Sequence, residues 1–451
     1  MKTVSSLIAQ WCCGNAIHEL PEQGRAVIRL AFLDTLAVSL LGSRLDAPRI
    51  VAKVEFARAA TPVASVHGMG RKADVLGAAL INGTSAHADL FDDNSAPMIS
   101  HPSAPLVSSL LPLAQSRSLG GRAVMDAYAV GFEVGVRLGR RLNPSLYEKG
   151  WHATRVLGVI GSTAACCRLL GLDAQRTASA LGIAVSMASG VRQNFGTMSM
   201  ALHVGLTARD AVHCALLAEA GMQSDAHSFE GKYGFAHLFS DSKLGDFELG
   251  NPFELIDSGI IFKPYPCGAP THAAVDAALA LRQDLQSDLG RIAKIECLVH
   301  PWNAMTLREE VPCDPLQAKV NLRYCVAAAL VHGELGYAQF TDEALAIPQV
   351  QALMQKISVS ISQDLPDNGE FPAEVRIQTV QGAQLSQRRE VPPGGSSRPL
   401  SSKQVTAKFL SCAQLALDAN AAAQVIDMVS RLEQLLDLGD LCRILEGQPR
   451  P

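Results

Sequence analysis

The sequence predicts a mainly α-helical protein with a large all-helical domain formed by positions 1–262 and 402–451 and a smaller α+β domain formed by 263–401. Three observations support this. Apolar residues recur at helical spacing through the N-terminal half and again after position 402. Between these regions, prolines break the backbone and stretches of alternating apolar and polar residues appear. Aromatic residues make up only 5% of the chain while Ala, Leu and Gly abound, a composition that favours helices.

Val27, Leu30, Ala31, Leu33, Leu36, Ala37, Leu40 and Leu41 mark a helix opened by Pro21 and closed by Gly42. Further helices are expected over 75–87, 104–115, 123–142, 156–170, 174–189 and 202–220. The stretches 156–167 and 178–190 carry almost no charge, and a helix apolar on all sides must be buried on all sides. Gly158, Gly161, Ser162, Ala164 and Ala165 read as core positions that let helices cross closely. After Phe262 the character changes. Pro264, Pro266 and Pro270 lead into a helix at 271–288, strands at 292–300, 357–364 and 374–380, and a helix at 318–332. The Pro-Pro-Gly-Gly-Ser-Ser run at 392–397 is a turn-rich hinge, after which helical spacing returns over 402–445.

At 451 residues the chain exceeds what one hydrophobic core ordinarily serves. A hydrophobic fraction of 48% against 18% charged residues excludes wholesale disorder. A net charge of −4 and a pI near 6.3 provide no cationic field for nucleic acid or for an anionic membrane surface. The 11 cysteines lie scattered in apolar stretches as reduced core residues, and without a CxxC or HExxH spacing no metal site is expected. The N-terminus lacks a small-residue cleavage site, and no uncharged apolar stretch reaches the roughly 18–20 residues that cross a bilayer. A cytoplasmic protein is expected.

Five clusters could carry chemistry. The first runs from His87 through Asp89, Asp92, Asp93 and Asn94 to His101, with Pro97 and Pro102 barring a continuous helix, so polar groups can converge on a ligand. The alternative for its acids is helix capping on a surface loop. The second places His152 after Gly150 and Trp151 at the mouth of an apolar helix, either as a core imidazole or as an acid/base group tuned by burial. The third, 192–203, reads as a polar loop between apolar helices. In it Arg192 could clamp a carboxylate, with surface solvation as the alternative. The fourth, Lys263 to His272, lies where the composition shifts, and ligand sites favour domain boundaries. The fifth is Tyr324 on a helix of the second domain, where a tyrosine ordinarily packs.

Together these blocks resemble the MmgE/PrpD family: HADLFDDN with HPS after it at 87–103, GWHAT at 150–154, FGTMSMALHVG at 195–205, KPYPC with Thr-His at 263–272, and the helix around Tyr324. The resemblance runs end to end. It implies a large helical domain completed by both chain ends, an α+β lid from the middle of the chain, and a homodimer. The family's activities are dehydration of 2-methylcitrate, decarboxylation of cis-aconitate and epimerisation of iminodisuccinate, with neither metal nor organic cofactor. His101, His152, His272 and Tyr324 match positions that line the active site in the decarboxylase branch and are the expected catalytic residues. Asp92, Asp93, Asn94, Arg192, Ser199, His203 and Lys263 are the expected substrate-binding residues for a small carboxylate.

The sequence also departs from the family. Where the decarboxylase branch carries a Thr-Lys pair, this chain has Ser199 and Met200, and methionine holds neither a proton nor a carboxylate. The Asp usually found directly before the Phe is Leu90, with Asp89 one place earlier, and the following Thr is Asn94. These changes weigh against cis-aconitate decarboxylation. The expected reaction is dehydration of a small polycarboxylate by histidine and tyrosine acid/base chemistry. The alternatives are an epimerase or isomerase of a dicarboxylate, and a non-catalytic dimeric ligand-binding homologue.

Overall fold

The computed structural model describes residues 3–14, 20–245, 247–304, 307 and 309–448. The chain forms two compact units: Met1–Ala88, Asp92–Ile260 and Ser401–Pro451 make the first, and Asp89–Phe91 with Ile261–Leu400 make the second.

The first unit is a stack of helices. The long ones are Glu22–Gly42, Val75–His87, Ser103–Ser116, Gly121–Leu142, Ala153–Leu170, Ala174–Met187 and Met198–Glu219, joined after the second unit by Ser402–Ala413, Ala419–Ser430 and Gly439–Glu446. Two crossings depend on glycine. Gly131 and Gly161 face each other so closely that a Cβ on either would meet the other's carbonyl oxygen at 2.7 Å. Val75–His87 and Met198–Glu219 meet at Gly83 and Gly205, where a Cβ on Gly205 would lie 2.3 Å from the Leu80 carbonyl. The second crossing fixes the helices that bear His87 and His203.

Ala153–Leu170 is 18 residues long and apolar enough to cross a bilayer by length and composition, which the sequence reading did not expect. Its setting is that of a core helix, because 89% of it is buried. Its Arg155 forms a buried ion pair with Asp210 on Met198–Glu219 and donates to the Met187 carbonyl at 3.0 Å.

Other local departures have simple causes. The polar loop expected over 192–203 is shorter, because the helix starts at Met198 and carries Ser199 and Met200 in its first turn. The helical part of the first unit is supplemented by an antiparallel ribbon, β1 (Ala64–Val66) with β2 (Arg71–Ala73), too short to leave an alternating signature.

The second unit builds a four-stranded sheet from β3 (Ile292–Val299), β4 (Ile357–Ile361), β5 (Ala373–Thr379) and β6 (Gln384–Arg389), ordered β4-β3-β5-β6. β3 and β4 are parallel, with Leu322–His332 and Pro348–Met354 in the crossover between them; the other two pairs are antiparallel. Ala373, Val375, Ile377 and Thr379 alternate into the core on β5, which packs against His272–Asp284. β6 has no apolar alternation. It is a polar edge strand whose Arg389 pairs with Asp276 at 2.6 Å, and its charges discourage further strand pairing.

The turn at 392–397 is tied down within this unit. Gly394 has φ of +89° and lies against the Phe262 carbonyl, which a Cβ would meet at 2.0 Å, and the Ser396 N–H donates to Glu370 at 3.0 Å.

Candidate active site

In the first unit the end of Val75–His87, the loop that follows, the start of Ala153–Leu170 and the first turns of Met198–Glu219 bring four imidazoles together. The His87 ring lies edge-on to His101 with centroids 4.6 Å apart and is 6.0 Å from His152, which is 5.3 Å from His203. The loops that carry His152 and Arg192 are bound to each other. The His152 N–H donates to the Gly190 carbonyl at 3.0 Å and the Arg192 N–H to the Gly150 carbonyl at 2.8 Å.

Asp92 is fully buried and takes His87 Nδ1–H, with its two oxygens at 2.8 and 3.0 Å. His101 Nδ1 lies 2.7 Å from the Asp93 carbonyl. A carbonyl only accepts, so the proton of neutral His101 sits on Nδ1 and the lone pair on Nε2. His87, Asp92 and His101 place possible ligand atoms within 4.8 Å of one another. The Nε2 atom of His87 is buried with no hydrogen-bond partner among the described residues.

His152 Nδ1 lies 3.0 Å from His203 Nδ1, so one nitrogen donates and the other accepts. Burial pushes His152 well below its ordinary value, with His87, His203 and His101 pressing in the same direction and Asp92 opposing. Burial, then His87 and Arg155, pushes His203 down to about 4. The pair is therefore neutral at physiological pH, and Phe195 caps the His152 ring edge-on at 4.9 Å.

Asp93 is also internal. Its Oδ1 accepts from the Ser103 N–H at 3.2 Å, and its Oδ2 pairs with the Ser103 hydroxyl, which lies 2.6 Å from the Tyr128 hydroxyl. Burial pushes its carboxyl up from 3.8 to about 8, with Asp34 and Asp92 adding to the rise and the Ser103 bonds opposing it. In the fold this group is protonated at neutral pH, whereas in the unfolded chain it is ionised above about 4. Its contribution is complete below the unfolded value and is lost as pH rises toward 8, because unfolding then releases a proton. Urea unfolding at several pH values should show Asp93→Asn gaining on the parent between pH 5 and pH 8, by up to roughly 1.4 kcal/mol per unit. A difference that stays flat across that range would mean Asp93 is ionised in the fold.

The remaining candidates of this unit lie apart from solvent to different degrees. Arg192 stacks on Tyr147, with its guanidinium carbon 3.8 Å from the ring centroid, and donates to the Tyr147 carbonyl at 3.0 Å. Ser199 is exposed and Met200 buried. Asn94 is half-buried, and its Nδ2 has no acceptor among the described residues.

In the second unit Lys263 is buried and donates to the Leu90 carbonyl at 2.7 Å. The His272 Nε2–H donates to the Cys267 carbonyl at 3.2 Å, which leaves its lone pair on Nδ1. The Tyr324 hydroxyl donates to the Gln339 carbonyl, and burial holds its phenol well above the ordinary range.

The sequence reading missed Lys319. Its ammonium pairs with Asp89 at 2.9 Å, donates to the Pro266 carbonyl at 2.9 Å and lies 4.3 Å from the Phe340 centroid. Burial raises the Asp89 carboxyl, while Lys319 and Lys263 pull it back down. The shift of the acid from position 90 to 89 thus places it on a lysine of this unit, and Leu90 takes up a left-handed φ of 55°. No motif marked Lys319, which lies in the turn before Leu322–His332.

Comparison with known proteins agrees with this picture. Residues 6–248 match the MmgE/PrpD N-terminal domain and residues 265–434 the MmgE/PrpD C-terminal domain. The chain is 26% identical to the cis-aconitate decarboxylase of Homo sapiens, over 100% of this chain and 96% of that protein. It is also 26% identical to the cis-aconitate decarboxylase of Aspergillus terreus, over 98% of this chain and 96% of that protein. A mitochondrial 2-methylcitrate dehydratase of Yarrowia lipolytica is 27% identical over 45% of this chain and 41% of its own length. With both domain types matched in order across most of its length, the chain belongs to the MmgE/PrpD family of enzymes.

Proposed function

We propose that this enzyme is a cofactor-independent hydro-lyase that removes water from a small hydroxy-polycarboxylate of the 2-methylcitrate type. The observation that carries this reading is the state of the histidine cluster. The Nδ1–H of His101 is committed to the Asp93 carbonyl, so Nε2 is its basic atom, and His152 beside it is held neutral by burial. Neutral imidazoles suit the removal of a proton beside a carboxylate, which is the first requirement of dehydration. Departure of the hydroxyl needs an acid, a role that falls to His152 with its proton on Nε2. The substrate's carboxylates require cations, for which Arg192 is the candidate on this unit. The homodimer and the cytoplasmic location belong to the same proposal.

A second reading, decarboxylation of cis-aconitate, is favoured by relatives of that name that match over nearly the whole chain. Loss of carbon dioxide leaves a carbanion that must be protonated, so the decisive group is a proton donor. The branch's lysine is absent here, where Met200 is buried.

The test is incubation of the enzyme with 2-methylcitrate, citrate and cis-aconitate in deuterated water. The expected result is an alkene product from a hydroxy acid. Deuterium in recovered substrate or its epimer without any alkene would move the assignment to an epimerase, and carbon dioxide from cis-aconitate would move it to a decarboxylase.

A further inference from the structure

We propose that His203 is a positioning residue that shares one proton with His152 and thereby sets whether His152 acts as base or as acid. The inference rests on the reading of His152 as a proton-transfer group. The geometry is specific. The two Nδ1 atoms are 3.0 Å apart, and His152 and His203 are 3% and 7% exposed, so water does not compete for the contact. Two neutral imidazoles meeting Nδ1 to Nδ1 have exactly one proton between them. If it sits on His152, the lone pair of His152 is on Nε2 and the residue is a base. If it sits on His203, His152 carries its proton on Nε2 and is an acid.

Catalysis can use the exchange directly. His152 Nε2 takes a proton from an acidic C–H of the substrate and leaves the electron pair on that carbon. The proton on His152 Nδ1 crosses to His203 Nδ1. His152 ends neutral with its proton on Nε2, and His203 ends as an imidazolium with protons on both nitrogens. The reverse sequence returns the proton.

The surroundings make the return easy. His203 faces His87 and Arg155, and Arg155 is itself paired with Asp210, which also binds Arg209. His152 faces His87, His101 and Asp92. Among the described residues no carboxylate pairs with His203, so an imidazolium there gives its proton back readily. The position also has a mechanical basis. His203 lies two residues before Gly205, whose close contact with Gly83 sets the spacing of the two helices.

Three variants and one spectrum test the proposal. His203→Asn keeps a hydrogen-bonding group opposite His152 Nδ1 but cannot pass a proton. Its turnover should fall at least tenfold with KM within threefold of the parent and an unchanged melting temperature. His203→Asp puts a carboxylate against His152 Nδ1 and should move the acid limb of the kcat/KM profile to higher pH by about 1–3 units, since an opposite charge at contact favours the protonated imidazole. His203→Gln, which sets its amide one bond farther out, should be worse than His203→Asn. Wild-type turnover and an unmoved pH profile in both His203→Asn and His203→Asp would overturn the proposal.

The spectrum needs no substrate and so separates failure of this inference from failure of the proposed reaction. In long-range proton–nitrogen spectra of the full chain labelled at histidine, His152 and His203 should both be neutral at pH 7, with one Nδ1 protonated and the other bare. Imidazolium signals from both residues at pH 7, or two bare Nδ1 atoms, would overturn it.

Discussion

Replacing His101 with Asn is expected to lower turnover by about two to four orders of magnitude, the range that a positioned general base supplies, while the chain stays folded. The choice of Asn follows from the hydrogen bond at Nδ1. The Asn side-chain amide can donate to the Asp93 carbonyl from nearly the place of His101 Nδ1, so the loop after Asp92 keeps its tie. The basic Nε2 is removed, together with the ring that lies edge-on to His87. The backbone N–H of His101 donates to the Thr154 hydroxyl at 3.1 Å and is untouched, so the joint to the start of Ala153–Leu170 also persists. Steady-state turnover of the best acid from the substrate panel, read beside thermal melts, checks the expectation. Turnover within threefold of the parent would remove His101 from the chemistry.

The legible part of this protein was the part written in local spacing. The helix Val75–His87 begins and ends where its periodicity does, because Asp74 caps its first turn by accepting from the Gly77 N–H at 2.6 Å. The strand β5 was visible because every second side chain enters the core. β6 was not, because an edge strand of Gln, Ser and Arg leaves no apolar alternation. The histidines at 101 and 152 were marked by the motifs around them. Their tautomers were not, since each depends on a carbonyl or an imidazole brought in from elsewhere in the chain. The acid at 89 could be read as displaced, but its partner could not. Lys319 sits far along the sequence, in a short turn with no motif, and only the packing of the second unit brings its ammonium onto Asp89.

The largest loss of stability from a single substitution is expected at Lys408, where replacement by Met should cost about 3–5 kcal/mol. Lys408 lies on Ser402–Ala413, the first helix after the chain returns to the first unit, and its ammonium is 2.7 Å from Asp34 on Glu22–Gly42. The two side chains are 6% and 1% exposed, so neither charge is hydrated in the fold. Removing the ammonium takes the cation at 2.7 Å from a carboxylate that already feels Asp93 and lies near Tyr128. The cost is that of a buried charge deprived of its cation, and it differs from the worth of the pair. Changing both partners to apolar residues, Asp34→Leu with Lys408→Met, should therefore recover most of the loss, because well-packed apolar pairs often replace buried ion pairs without penalty. Urea unfolding at constant m-value measures both. A single variant that loses less than about 1 kcal/mol would place the pair among hydrated surface bridges and remove it as the clasp between the two ends of the chain.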